Sequence, residues 1–281
     1  MNMATRQRRE GTFARGPAMA AVLSVSVLIG ACDGANQGVQ IGDGQNPDPV
    51  VVDYPIAYVA APLPLDDNGV FEQQDLREQI TFDVGGQLFV KDRASTSSDP
   101  VNVTESVIGD MGAVRDVEIA YDGSTVLFAM RGPFDPNLAD DEQPTWNLWE
   151  YAFEDQSLRR IIPSDLTAEI GHDIMPKYLP DGRIIFASTR QVRSRAILLD
   201  EGKSGFAAMD EDRNEEALNL HVINADGSVI EQVTFNQSHD MDPAVLSNGQ
   251  VVFARWDHAP GNNDVNLYRM NPDGTGLELL Y

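Results

Sequence analysis

Residues 171–176 read Gly-His-Asp-Ile-Met-Pro, and they return as Ser-His-Asp-Met-Asp-Pro at 238–243. The offset between the two copies is 67 residues. A second repeat, Asn-Leu followed by an Asp-Gly turn, links 219–227 to 266–274 at an offset of 47. Internal repeats of this length predict an architecture of successive similar units. The units resemble one another at their two ends and differ in their middle segments.

Short apolar runs separated by turn residues predict that each unit is a four-stranded antiparallel sheet. In the clearest unit, strands are expected near 175–179, at 184–188, at 220–224 and at 229–234. Asp-Gly pairs join the first strand to the second and the third to the fourth, and we expect type I′ turns there. Four antiparallel strands per unit predict the blade of a β-propeller, in the all-β fold class.

The repeat extends to both sides of this unit. A preceding full unit is predicted over 115–162 and a following one from Met241 to Tyr281, while three strands between 55 and 104 form a partial unit. The sequence therefore predicts three full blades and one partial blade. Because a propeller closes by joining strands from both termini and no closing strand follows Tyr281, the propeller is expected to be incomplete. A truncated reading frame is the preferred explanation, and an arc that stays open is the alternative.

The two full units that carry His-Asp pairs follow one pattern, with variation in its last segment. It runs Asp-x-x-Pro, Asp-Gly or Asn-Gly, an apolar run ending in Phe-Ala-Ser or Phe-Ala-Arg, and Asn-Leu-Tyr-x-Met-Asn-x-Asp-Gly. This pattern resembles the repeats of TolB-type, WD40-like β-propellers. Over residues 53–281 the chain resembles proteins with the propeller middle domain of the hydrazine synthase alpha subunit, a family that adds haem-bearing domains. The first full blade departs from the pattern, with Ala113 and Val114 in place of His-Asp.

The amino terminus has the features of a bacterial lipoprotein signal peptide. Four arginines precede an apolar run at 18–29, which is shorter than the ~20 residues that a membrane-spanning helix needs. Ile-Gly-Ala-Cys at 29–32 resembles the lipobox, whose cysteine is acylated, for example with palmitate, and becomes the new amino terminus. We expect removal of residues 1–31 and lipidation of Cys32. The alternative is an ordinary secreted protein in which Cys32 is incidental.

Residues 32–52 are predicted to be a flexible tether, because they are almost free of apolar side chains. The propeller domain is expected over 53–281. Asp33 resembles the residue that retains lipoproteins in the inner membrane of some bacteria, so the sequence leaves inner or outer membrane open. In either case the domain is predicted to face the periplasm.

Charge and cysteine content limit the partners. The formal net charge is −24, and it becomes −27 without residues 1–31, which carry four arginines and one glutamate. This charge opposes nucleic-acid binding and favours divalent cations or basic partners, although a solvated acidic surface is the simpler explanation. The single cysteine excludes an intrachain disulfide and a Cys-x-x-Cys-His haem attachment. No cofactor is predicted, and calcium is left open.

One face of the disc is predicted to collect the variable loops. In an antiparallel blade, the loop between the second and third strands lies on the face where the chain enters the first strand. The acidic segments 131–146, 190–218 and 256–265 therefore share a face with the His-Asp pairs. The candidate ligand-binding residues are His172, Asp173, His239, Asp240 and Asp242. Alternatively, each pair braces its blade through hydrogen bonds to backbone of the neighbouring blade, which its repetition favours.

Two functions follow as hypotheses. The first is an envelope-anchored lipoprotein whose propeller is a non-enzymatic scaffold, bound to the membrane through Cys32 and to a protein or small ligand through its acidic loop face. The second is an enzyme or enzyme subunit, similar to the hydrazine synthase alpha subunit, with an active or metal site in the channel around His172 and His239. No catalytic residue can be singled out from the sequence.

Overall fold

A computed structural model describes residues 54–281, except 67, 72–77, 96, 210–212, 214 and 260–261. The predicted signal peptide, the tether and Cys32 lie outside the described residues, as do the acidic residues 210–212. Within the described part, no helix combines the length and apolar character needed to cross a membrane.

The described residues form four antiparallel sheets. The first contains β1 (Ile56–Ala60), β2 (Gln87–Lys91) and β3 (Val101–Asn102). The second contains β4 (Ala113–Ile119), β5 (Thr125–Arg131), β6 (Asn147–Ala152) and β7 (Leu158–Arg160). The third contains β8 (Asp173–Tyr178), β9 (Ile184–Ser188), β10 (Asn219–Ile223) and β11 (Glu231–Gln232). The fourth contains β12 (Asp240–Val245), β13 (Val251–Ala259), β14 (Asn262–Met270) and β15 (Glu278–Leu279).

Strand order within each sheet follows chain order, as in propeller blades. The first strands of the three four-stranded sheets, β4, β8 and β12, are neighbours in space. This is the arrangement of innermost strands around a propeller axis. The predicted all-β propeller, with three full blades and one partial blade, is confirmed.

Apolar side chains fill the spaces between adjacent sheets. The Phe-Ala motif of each second strand supplies Phe128, Phe186 and Phe253, which are all almost completely buried. Burial of each such ring stabilises the fold by about 1.5–3 kcal/mol relative to exposure. The cores between neighbouring blades therefore follow directly from the repeated sequence.

The Asp-Gly turns differ from the predicted type I′. In the turn after β8, the Gly182 N–H donates to the Leu179 carbonyl, and Gly182 has a φ of +86°. Asp181 has no positive φ, which a type I′ turn would require. The connection is instead a type I turn closed by a left-handed glycine.

The turn between the third and fourth strands packs closely against the preceding blade. A Cβ added at Gly227 would lie 2.0 Å from the carbonyl oxygen of Ile161, and one added at Gly274 would lie 2.3 Å from that of Val233. Only glycine permits this approach. The two turns therefore fix how closely successive blades pack.

Among the described residues, three short α-helices lie between the strands, namely α1 (Glu105–Ile108), α2 (Asp165–Ala168) and α3 (Val192–Asp200). Helix α3, in the insertion after β9, was not predicted. None of the residues of α3 is buried. A helix that packs on a core is recognised in a sequence by a stripe of apolar residues along one face, and α3 has no such stripe. Conversely, much of the predicted loop 256–265 extends the β13–β14 hairpin, in which Trp256 pairs with Val265.

Candidate functional site

Both His-Asp pairs make the same two hydrogen bonds to the preceding blade. Nδ1 of His172 accepts from the backbone N–H of Trp146 at 3.2 Å, and Nδ1 of His239 accepts from that of Leu218 at 3.0 Å. The N–H of the aspartate after each histidine donates to the carbonyl of the same Trp146 or Leu218, at 2.8 Å in both cases. These contacts are the ones that the brace alternative predicts.

Each of these aspartates also binds an arginine of its own blade. Asp173 is fully buried, accepts from the Ser188 hydroxyl at 2.6 Å and forms an ion pair with Arg190. Asp240 is fully buried and binds Arg255 through two hydrogen bonds of 2.7 and 2.8 Å. Burial raises the pKa of both carboxyl groups, while the paired arginines oppose the rise. Neither arginine was predicted as a partner from the sequence.

Asp242 lies in a different environment, at a β-bulge of β12 with a φ of +51°. The equivalent bulge residues are Asp116, with a φ of +58°, and Met175, with a φ of +55°. The Met175 N–H donates to the Asp116 carboxylate at 2.9 Å, and the Asp242 N–H lies 3.2 Å from Sδ of Met175. Burial and the charge of Asp116 raise the pKa of Asp242. The bulges thus contact one another from blade to blade.

We call His172 and His239 the brace histidines. Their rings are in a tautomer that cannot bind a metal ion through Nε2. Because each Nδ1 accepts a backbone N–H, the proton of the neutral ring lies on Nε2, which then has no lone pair for coordination. Burial, aided by the charge of Arg131, lowers the pKa of His172 to about 3, so its ring is neutral at pH 7. Among the described residues, no group of three or more histidines and acids could hold a metal ion. Calcium binding stays a prediction.

A cavity of about 800 Å³ opens where several of the predicted segments meet. It is lined by the segment around Ile80 and Phe82, the loop after β5, the connection entering β8 and the insertion after β9. We call it the loop-face cavity. Of the five candidate ligand-binding residues, it contains His172 alone. Its volume lies in the range of small-molecule sites, roughly 300–1,000 Å³.

Arg131, at the end of β5, is the buried cation of this cavity, with only 7% of its surface exposed. Its Nε donates to the Pro144 carbonyl at 2.6 Å and its Nη1 to the Ile80 carbonyl at 2.9 Å. The guanidinium lies 4.4 Å from the ring centroid of Phe82. Burial lowers the pKa of Arg131 to about 10, so the side chain keeps its charge at neutral pH. Arg131 was not predicted as a site residue.

Two glutamates of the cavity wall are held by protein groups. Glu215 accepts the backbone N–H groups of Gln79 at 3.0 Å and Ile80 at 3.3 Å, and it lies 3.4 Å from Nε2 of His239. Glu216 binds Arg195 through two hydrogen bonds of 2.7 and 2.6 Å. Glu215 therefore links the buried His239 to the cavity wall.

The fold has counterparts among solved structures, although no protein-family model and no curated protein matches the chain. Hydrazine synthase of Kuenenia stuttgartiensis matches 82% of this chain and 32% of its own, with 16% identity and a TM-score of 0.56. TolB of Acinetobacter baumannii matches 72% of this chain and 39% of its own, with 12% identity and a TM-score of 0.42. A puromycin-hydrolyzing peptidase of Mycobacterium tuberculosis matches 81% and 27%, with 11% identity and a TM-score of 0.46.

The chain spans about a third of the length of the hydrazine synthase chain that it matches. At this identity the likeness concerns the fold and carries no activity with it. The resemblance predicted from the repeat motif is confirmed at that level, and the described chain has a β-propeller fold similar to that of the matched part of the hydrazine synthase chain.

Proposed function

We propose that the protein is a bacterial envelope lipoprotein whose propeller is a binding scaffold, with the loop-face cavity as its ligand site. The observation that carries this proposal is the cavity itself, which is assembled from segments that vary between the repeats. Binding residues commonly lie on loops that a rigid scaffold positions. Here the repeated braces supply the scaffold.

The proposal gives the candidate residues different roles. His172 faces the ligand, whereas Asp173, His239 and Asp240 hold the blades that carry the cavity. Asp242 belongs to the bulge contacts near the axis. The enzymatic alternative in the channel stays a prediction, because no contact among the described residues favours it over binding.

The location rests on the amino-terminal sequence. A lipid on Cys32 and a tether over 32–52 would hold the domain at the membrane surface, facing the periplasm. Two or more acyl chains bury enough methylene groups, at ~0.8 kcal/mol each, for stable anchoring. A ligand site in such a protein would be exposed to the solutes and proteins of the periplasm.

The test fills the cavity with a larger side chain. Ile170 lines it and is 48% exposed, so Ile170→Trp should obstruct the cavity without disturbing a core. Leu166, in nearby α2, is 90% exposed and does not line the cavity, so Leu166→Trp is a matched control. Both variants and the unchanged protein are screened by thermal shift against one library of organic acids, amino acids, nucleotides and sugars.

We expect at least one compound to raise the Tm of the unchanged protein and of Leu166→Trp while leaving Ile170→Trp unaffected. Binding of compounds at about 100 times Kd stabilises a protein by about 2.7 kcal/mol, which a melting curve resolves. Equal shifts in all three proteins would refute the cavity as the ligand site.

A further inference from the structure

The loop-face cavity contains a cation that the repeat does not require. Arg131 pairs across its sheet with Ala113, which stands where the other two full blades have the brace histidine. Opposite those histidines stand Thr189 and Trp256, joined to them by backbone hydrogen bonds of 3.1 and 2.8 Å. Two of the three blades therefore fold without a charge at this position. A structural role common to the blades does not account for Arg131.

The guanidinium of Arg131 is only partly used by the protein. A guanidinium has five N–H donors, and two of them meet the carbonyl oxygens of Pro144 and Ile80. Within the described residues Arg131 forms no ion pair with a carboxylate. By contrast, Arg190, which follows β9, and Arg255, within β13, are each paired with a buried aspartate. The positive charge of Arg131 is thus available to the cavity.

His172 supplies a second donor beside it. Its Nδ1 accepts the Trp146 N–H, so the neutral ring carries its proton on Nε2, and no described residue accepts that proton. The charge of Arg131 is close enough to lower the pKa of His172. A guanidinium and a neutral imidazole N–H therefore line the same cavity, a pairing that suits an oxyanion.

The surroundings select the kind of anion. The negative charges of Glu169 and Asp140 act on Arg131 and partly oppose the lowering of its pKa by burial, and the chain has a formal net charge of −24, so a dianion such as phosphate is disfavoured. Phe82 and Phe134 line the same cavity and contact each other edge to face, with ring centroids 5.8 Å apart. They offer an apolar surface for the rest of the ligand.

We propose that Arg131 and His172 bind the carboxylate of a small monoanionic ligand whose apolar part packs against Phe82 and Phe134. This inference rests on the proposed function for the cavity and adds the chemical class of the ligand.

The experiment uses three probes that share one apolar body, namely 3-phenylpropionate, its neutral amide and 2-phenylethylphosphonate. Each is titrated by calorimetry into the whole mature protein at concentrations up to about 10 mM, a range that detects weak complexes. We expect the carboxylate to bind at least about tenfold more tightly than the amide, because charge-assisted hydrogen bonds are about twice as strong as neutral ones. It should also bind more tightly than the phosphonate, because the acidic residues around Arg131 repel a second negative charge.

Variants then test whether Arg131 is the residue that binds the carboxylate. Arg131→Gln should abolish measurable carboxylate binding, and Arg131→Lys should weaken it while keeping the charge. Arg183→Gln is the matched control for the loss of one positive charge, because Arg183 is paired with Asp181 in the turn after β8 and does not line the cavity. Circular dichroism melts check folding. If Arg131→Gln does not fold, Arg131→Lys and the obstructing Ile170→Trp variant decide the question instead.

The pH dependence tests the role of His172. Because His172 is neutral and Arg131 is charged at neutral pH, affinity should be unchanged between about pH 6 and pH 8. A loss of affinity through that interval would mean that a protonated histidine binds the ligand, which contradicts the assignment.

Other results overturn this inference without touching the broader proposal. Equal binding of the amide, or full binding by Arg131→Gln, would exclude a carboxylate anchor, while compounds blocked by Ile170→Trp would still establish the cavity as a site. Absence of any carboxylate binding up to about 10 mM would also overturn the inference. The thermal-shift screen with Ile170→Trp tests whether the cavity binds ligands, whatever the outcome for the carboxylate.

Discussion

His239 is completely buried, and its Nδ1 is the acceptor for the equally buried N–H of Leu218. An amide that loses its acceptor inside a protein keeps its desolvation cost, so the histidine contributes by preventing that cost. The same reasoning applies to His172 and Trp146. Repetition of the pair in sequence is explained by repetition of this hydrogen bond.

His239→Ala should therefore destabilise the fold by about 1–3 kcal/mol, because the Leu218 N–H is left buried without its partner. His258→Ala is the control, since the His258 side chain is exposed. Urea denaturation at neutral pH measures both. A free energy of unfolding unchanged in His239→Ala would rule out the brace.

The brace histidines could be predicted from the sequence, whereas Arg131 could not. The histidines recur at a fixed offset, so one copy points to the other. Arg131 occurs once, and its contacts come from Ile80, Phe82 and Pro144, which lie 51, 49 and 13 residues away in the chain. Only the folded arrangement brings these segments around one guanidinium.

Strands and turns of the repeat were predicted with unequal success. The bounds of β9 match the predicted 184–188, because polar or glycine-containing turns flank a short apolar run there. The fourth strand of the same blade, β11, is much shorter than the predicted 229–234. Outer strands pair on one side only, so their length depends on neighbours that local sequence does not encode.

Two glycines of the third sheet allow a direct comparison of turn and packing effects. Gly182 and Gly227 have nearly the same φ, +86° and +83°. A Cβ at Gly182 would meet nothing within 4 Å, whereas one at Gly227 would clash with the Ile161 carbonyl. Gly182→Ala should cost about 1–2 kcal/mol for the left-handed backbone alone, and Gly227→Ala about 3 kcal/mol or more.

Chemical denaturation of both glycine variants at the same temperature provides the measurement. Equal destabilisation would mean that the turn conformation alone matters and that the turn does not set the spacing between blades. A larger loss of unfolding free energy in Gly227→Ala than in Gly182→Ala would be due to the contact with Ile161.

For the molecule as a whole, the strongest expectation concerns its attachment to the membrane. In a diderm bacterial host, the unchanged protein should fractionate with membranes and carry a lipid on its amino-terminal peptide, whereas Cys32→Ser should lack the lipid because the thiol that is acylated is lost. Asp33→Ser keeps the cysteine and should remain in the membrane fraction. Mass spectrometry of the amino-terminal peptide detects the lipid, and its absence from the unchanged protein would contradict lipid anchoring.

The bulge contacts, in which Asp116 accepts the Met175 N–H and Met175 meets the Asp242 N–H, join only adjacent blades. Each unit thus carries an acceptor for its successor and a donor for its predecessor. A duplicated gene segment encoding one unit would bring both halves of the contact with it. An added unit could therefore form these two backbone contacts with its neighbours through residues that it already carries.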